Sequence, residues 1–136
     1  MNALFQDADD NNDTGRFERI QSSLFMGPGT WHVLKGFASK YEPTERNKRL
    51  YKQWIELTLQ LFPCDICSTH AMLNWKKHDI NNYLESKDRL YLYISAVLQD
   101  GANEAKGIPI DQRPDFYENK RFIFESMNGD CKRCGH

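Results

Sequence analysis

The stretch Pro63-Cys64-Asp65-Ile66-Cys67-Ser68-Thr69-His70 is a C-x-x-C pair entering a helix, with an apolar helical run directly before it. Pro63 disfavours helical geometry at Phe62 and itself suits a helix start, so the chain breaks just ahead of the cysteines. Two cysteines three apart on a first helical turn can close a disulfide within that turn. A helix N-terminus favours negative charge, which lowers the expected pKa of a thiolate placed there. Dithiol–disulfide exchange needs such a leaving thiolate. A C-x-x-C is equally the half of a zinc site, and the octapeptide leaves both readings open.

Working outward, the segment before the cysteines reads as two helices. Thr30 is a plausible N-cap, and Trp31, Leu34, Phe37, Ala38 and Tyr41 recur at helical spacing. Glu42-Pro43 stops that helix and Thr44 caps the next, whose expected inner face is Leu50, Trp54, Leu57, Thr58 and Leu61. The third helix is expected from about Cys64 to Lys77, with Cys64, Cys67, Ala71 and Trp75 on one face and His70 one turn beyond Cys67. His78 to Lys87 reads as a polar connection holding a short turn at Ile80, Tyr83 and Leu84. Ser86 caps a fourth helix carrying Leu90, Tyr93, Ile94, Val97, Leu98, Ala102 and Ala105, which Gly107 and Pro109 end. A brief turn or helix follows near Asp111 to Glu118, and Arg121-Phe122-Ile123-Phe124 reads equally as strand or helix. The expected fold is all-α, a four-helix bundle with an additional short helix and the C-x-x-C at the start of the third main helix.

The expected organisation is an acidic arm with a possible short helix over 1–26, a helical domain over 27–119, and a tail over 120–136 with a second pair, Cys131 and Cys134. All four cysteines of the 136-residue chain lie in these two pairs, which argues for redox or metal chemistry. With 18 basic and 19 acidic residues and no basic stripe, nothing recommends a nucleic-acid partner. No apolar run approaches membrane-spanning length and no signal-peptide pattern opens the chain, so a soluble intracellular protein is expected.

Gly-x-Gly-Thr-Trp opening a helix, a Tyr-x-Pro helix end, an aromatic-rich helix and then Leu-Phe-Pro-Cys-x-x-Cys-x-x-His together resemble the Erv family of FAD-linked sulfhydryl oxidases, the short viral members above all. The resemblance covers about residues 27 to 117. It implies a helical bundle that binds FAD, often as a homodimer, oxidises protein dithiols and reduces molecular oxygen to hydrogen peroxide. Carried over by position, Cys67 is the flavin-proximal cysteine and Cys64 the interchange cysteine. Thr30, Trp31, Lys35, Tyr41, His70, Gln99 and Asn103 fall at cofactor-binding positions, with Cys67 beside them. Lys35 stands where the family usually has His. Gln99-Asp100-Gly101-Ala102-Asn103 aligns with a His-Asn-x-Val-Asn run, of which Asn103 alone is kept in kind. Lys35 is expected to offset the charge of Asp100. The family's extra disulfide linking the fourth helix to the segment after it is absent.

By the same resemblance, Cys131 and Cys134 are expected to relay electrons from a protein substrate, such as a thioredoxin-like carrier, to Cys64/Cys67. An extended tail from Asp115 reaches roughly 50 Å. The setting implied is the cytoplasm of virus-infected cells or the virion. Val33, Phe37, Tyr51, Ile55 and Leu59 are large apolar residues of the first two helices in excess of what a thin bundle buries on one side, and they are expected to form the dimer interface. The alternative is a zinc module built from Cys64, Cys67, Cys131 and Cys134. The long chain between the pairs and the helical setting of the first argue against it. A thioredoxin-type oxidoreductase needs a strand before its C-x-x-C and a parallel sheet, and no strand pattern is visible.

Overall fold

The computed structural model describes residues 29–128. The N-terminal arm and the second cysteine pair, Cys131 and Cys134, lie outside the described residues, and so does half of the ligand set that the zinc reading needs. Among the described residues there are helices and turns and no strand, so the fold is all-α.

Helix α1 spans residues 29–38. It buries Trp31, Leu34, Lys35 and Ala38 and leaves Val33 and Phe37 exposed. Thr30 lies inside the first turn rather than capping it. The helix ends before Tyr41, because Ser39 turns the chain: its N–H reaches the carbonyls of Lys35 (3.1 Å) and Gly36 (3.2 Å). Tyr41 then packs edge-on against Tyr51 at 4.9 Å and donates its hydroxyl to the Leu84 carbonyl at 2.6 Å.

Helix α2, Glu45–Gln60, starts at Thr44, whose hydroxyl accepts the Asn47 N–H at 3.1 Å. Its inner face is not the expected one. Ile55 and Leu59 are fully buried, whereas Leu50, Leu57 and Leu61 are exposed. Two stripes of this helix, 50/54/57/61 and 51/55/59, both obey helical spacing, and the surrounding core selects the second. Each fully buried Leu or Ile contributes about 2 kcal/mol by leaving water.

Helix α3, Asp65–Lys77, begins at Cys64, whose sulfur accepts the Cys67 N–H at 3.3 Å. Ser68 ties it back to α2 by donating to the Leu59 carbonyl at 2.8 Å. A 3₁₀ turn, Ile80–Tyr83, precedes helix α4. That helix is continuous but has three parts: an α segment Lys87–Leu92, a π segment Tyr93–Gln99 and an α segment Asp100–Ala105. Ser86 caps its start, accepting the Arg89 N–H at 3.1 Å. Tyr91 and Tyr93 are both fully buried on it and face different neighbours. Tyr93 packs on Tyr83 (4.8 Å) and Trp75 (6.2 Å), and Tyr91 on Phe116 (5.6 Å) and Phe124 (5.4 Å). Helix α4 is thus the central element, between α3 and the last helix.

That last helix, α5, spans Phe116–Asn128 and follows a 3₁₀ turn, Ile110–Gln112. It settles the ambiguous run Arg121–Phe124 as helix and buries Ile123 in the core. It continues without a break past residue 119, where the sequence reading placed the end of the helical domain. No helix among the described residues is long and apolar enough to cross a membrane.

Candidate functional site

The start of α3 sets the two cysteines apart in environment. Cys64, at the cap, is half-buried, and Cys67, one turn in, is only 6% exposed. Both are free thiols. The expected lowering of the thiol pKa is not what the surroundings of Cys67 produce. Burial pushes its thiol up, and the hydrogen bond with Cys64 pushes the same way, while the Lys106 ammonium pulls it down. Lys106 caps the C-terminal end of α4.

The position of α4 over α3 is set by a close crossing. A Cβ built on Gly101 would collide with the side-chain amide of Asn74 on α3, so Asn74 would have to swing aside for any side chain at 101. On the face of α4 turned away from Gly101, Gln99, Asn103 and Lys106 recur at helical spacing. Gln99 and Asn103 line a cleft of about 670 Å³ between α4 and the segment leading into α5. Its other polar walls are Asp100, Glu104, Asp111, Arg113 and Asp115.

Behind Gln99 lies the least expected group of the molecule. Lys35 is completely buried. Its ammonium donates to Gln99 Oε1 at 2.7 Å and to Asn119 Oδ1 at 2.6 Å, and lies 5.9 Å from the centre of the Tyr91 ring. Tyr91 also donates its hydroxyl to Asn119 Oδ1, at 2.9 Å. Both acceptors of the lysine are neutral amides, and among the described residues no carboxylate pairs with it. Burial lowers its pKa to about 8. The expectation that Lys35 offsets Asp100 is not met. Asp100 pairs instead with Arg113 at 3.3 Å, and Arg113 also reaches Glu104 at 3.7 Å.

The other expected cofactor positions are brought together only in part. Trp31 is buried against Phe62, directly before Pro63 and the cysteines, with ring centres 6.2 Å apart. His70 is half-buried on α3. Tyr41 is bonded to Leu84, ahead of α4, away from the Gln99–Lys106 end. Thr30 lines a separate apolar groove of about 370 Å³ with Trp54, Leu57, Leu61, Phe62 and Pro63.

Of the expected cofactor positions, Gln99 and Asn103 line the cleft, and Lys35 lies behind Gln99 with no exposed surface. The Lys35 ammonium has three N–H groups, and two are used within the protein. Such a buried cation without a counter-charge would meet an electron-rich ring edge only if Gln99 swung aside to open it to the cleft. The cleft mouth does not suit a diphosphate, because four carboxylates line it and the one arginine is already paired. The described residues hold no group of three or more His, Cys, Asp or Glu placed for a metal ion.

Sequence reading missed Lys106, Asn119, Tyr91 and Arg113. Lys106 reads as an ordinary cation in a last helical turn, where it complements the helix dipole. Asn119 carries no signal at all, since its partner Lys35 is 84 positions away. The π segment ending at Gln99 is a feature that often marks functional sites, and no sequence pattern announces it. No family model, curated protein or solved structure matches this chain.

Proposed function

We propose that the chain is a FAD-dependent thiol oxidase that forms disulfides in protein dithiols. The observation that carries the reading is the asymmetry of the dithiol at the start of α3. Cys64 is partly accessible at the helix cap, and Cys67, one turn further in, is buried. That asymmetry is what an interchange cysteine and a cofactor-facing cysteine require. Cys64 meets the incoming dithiol; Cys67 carries the electrons inward.

Trp31, Lys35, His70, Gln99 and Asn103 are the residues proposed to hold the cofactor. Gln99 would face the cofactor, with the buried Lys35 ammonium behind it donating to its Oε1. FAD, when bound, supplies the two-electron acceptor and passes the electrons to oxygen, giving hydrogen peroxide. The proposed partners are a protein dithiol of the thioredoxin-like carrier type, molecular oxygen and a second copy of the chain. The proposed setting is the cytoplasm of virus-infected cells or the virion. Self-association is supported by Val33 and Phe37 on α1 and by Leu50, Leu57 and Leu61 on α2, all exposed apolar residues. Ile55 and Leu59, also expected there, belong to the core instead.

The test is oxygen consumption with dithiothreitol by protein reconstituted with FAD. Peroxide formed in step with dithiol loss, and absent from Cys67→Ser, supports the reading. Protein that neither takes up FAD nor consumes oxygen refutes it.

A further inference from the structure

We propose that the apolar groove beside Cys64 docks the substrate, and that the substrate is a polypeptide whose reacting cysteine is flanked by aliphatic or aromatic residues. The inference rests on the disulfide-exchange part of the proposed function and names its substrate class.

The chain itself joins the groove to the sulfur. Phe62 and Pro63 line the groove, and Cys64 follows them directly, one Cα step of about 3.8 Å on. Two hydrogen bonds hold this junction. The Cys64 N–H donates to the Phe62 carbonyl at 2.7 Å, a tight turn at Pro63. Ser68 donates its hydroxyl to the Leu59 carbonyl at 2.8 Å, which fixes the start of α3 against the end of α2. The groove measures about 370 Å³, and none of the residues lining it is charged. Two of its walls, Leu57 and Leu61, are 54% and 76% exposed. Ile66, two residues past Cys64, is 64% exposed. Large apolar side chains therefore lie open before and after the more accessible of the two cysteines.

The exchange reaction says what covers this surface. A substrate thiolate attacks the Cys64 sulfur of the Cys64–Cys67 disulfide. A new S–S bond forms, and the electron pair of the broken bond leaves on the Cys67 sulfur. In that mixed disulfide the substrate's Cα is held about 4.4–6.8 Å from the Cys64 Cα. A substrate chain running from the groove toward Ile66, in either direction, lays the residues beside its cysteine on apolar surface. Apolar neighbours release water from that surface, whereas polar ones lose water there without gaining partners. A second substrate thiolate then attacks the substrate sulfur, Cys64 leaves and takes a proton from solvent, and the substrate departs as a disulfide. Leu57 and Leu61 also belong to the patch proposed for self-association, while Thr30, Phe62, Pro63 and Ile66 do not. Protein concentration separates the two occupants.

The experiment starts from full-length protein with the Cys64–Cys67 disulfide formed. Its opening at pH 7 is followed with two end-capped peptides, Gly-Leu-Cys-Leu-Gly and Gly-Ser-Cys-Ser-Gly, by alkylation and mass spectrometry, with rates taken per thiolate. Asp65 is exposed between the cysteines, and flanks without charge keep its effect equal for both probes. Wild type is expected to react roughly tenfold faster with the leucine peptide, which is what partial burial of one leucine supplies. Leu61→Ser and Ile66→Ser are each expected to cut that ratio to about threefold or less. The serine peptide is the reference within each protein, and variants on both sides of Cys64 keep the result readable if one misfolds. Equal rates for the two peptides on wild type overturn the docking inference and leave the thiol chemistry standing. A preference untouched by both variants overturns the groove and Ile66 as its source. A preference that appears only after dilution to monomer, checked by sedimentation, gives the groove to the second copy and overturns the inference too. A wild-type protein that forms no Cys64–Cys67 disulfide overturns it together with the thiol-oxidase reading.

Discussion

Replacing Lys35 by Met tests the electrostatics at the centre of the molecule. The unfolded chain holds the lysine proton up to about 10.5 and the folded protein only up to about 8. Below 8 both states are protonated, and the whole cost of burying the charge is present, about 3 kcal/mol at 1.36 kcal/mol per pH unit. Between these two values the folded protein has released its proton and the unfolded chain has not, so stability rises with pH. Above 10.5 the cost is gone. From pH 7 to pH 9 the wild type is therefore expected to gain about 1 kcal/mol relative to Lys35→Met. In urea that is a relative midpoint shift of roughly 0.5–1 M. The variant leaves Gln99 Oε1 without its donor, whereas Asn119 keeps the Tyr91 hydroxyl. The lost bond costs about 1–3 kcal/mol, so the absolute stability at one pH is uninformative and the slope is the readout. Cys67, whose raised pKa works in the opposite sense over this range, is common to both proteins and cancels. The assay is urea unfolding of flavin-free protein from pH 6.5 to 9. Parallel curves for the two proteins would show that Lys35 keeps an ordinary pKa and that its burial carries no electrostatic cost.

Three further outcomes are expected. Gly101→Ala should gain up to about 1 kcal/mol of helix propensity on an Asn74→Ala background and lose part of that gain beside Asn74; additive behaviour in the double-mutant cycle would show that the Asn74 amide swings aside without cost. Cys67→Ser should abolish cofactor reduction by dithiols, while Cys64→Ser stops turnover and leaves Cys67 able to perturb the flavin spectrum; activity surviving only in the Cys67 variant would reverse the two roles. Sedimentation should show a dimer at micromolar concentration that Phe37→Glu with Leu57→Glu converts to monomer, and a wild-type monomer would remove the proposed assembly.

Local signals carried most of the fold. Thr44, Ser86, Pro63 and Gly107 each mark a helix end through their own backbone chemistry, and each does so in the structure. The inner face of α2 was not legible, because two stripes satisfy the same period and only distant partners choose between them. Helix α5 was not legible either. Phe122, Ile123 and Phe124 are consecutive and fit either period, and only Ile123 is fully buried. At the site, the cysteine pair announces itself by spacing. Lys35 could be seen as a lysine on the apolar face shared by Trp31, Leu34 and Ala38, but its neutral partners Gln99 and Asn119 come from elements far along the chain. The same holds for Lys106, whose charge acts on Cys67 from the end of α4.

The central claim is that this dithiol delivers electrons to a bound flavin, and an absorption spectrum tests it most directly. Purified protein incubated with FAD and freed of excess by gel filtration should be yellow, with the flavin band retained. Anaerobic addition of dithiothreitol should bleach that band, and air should restore it, in wild type and not in Cys67→Ser. A colourless protein after filtration, with a melting temperature indifferent to added FAD, would contradict the account.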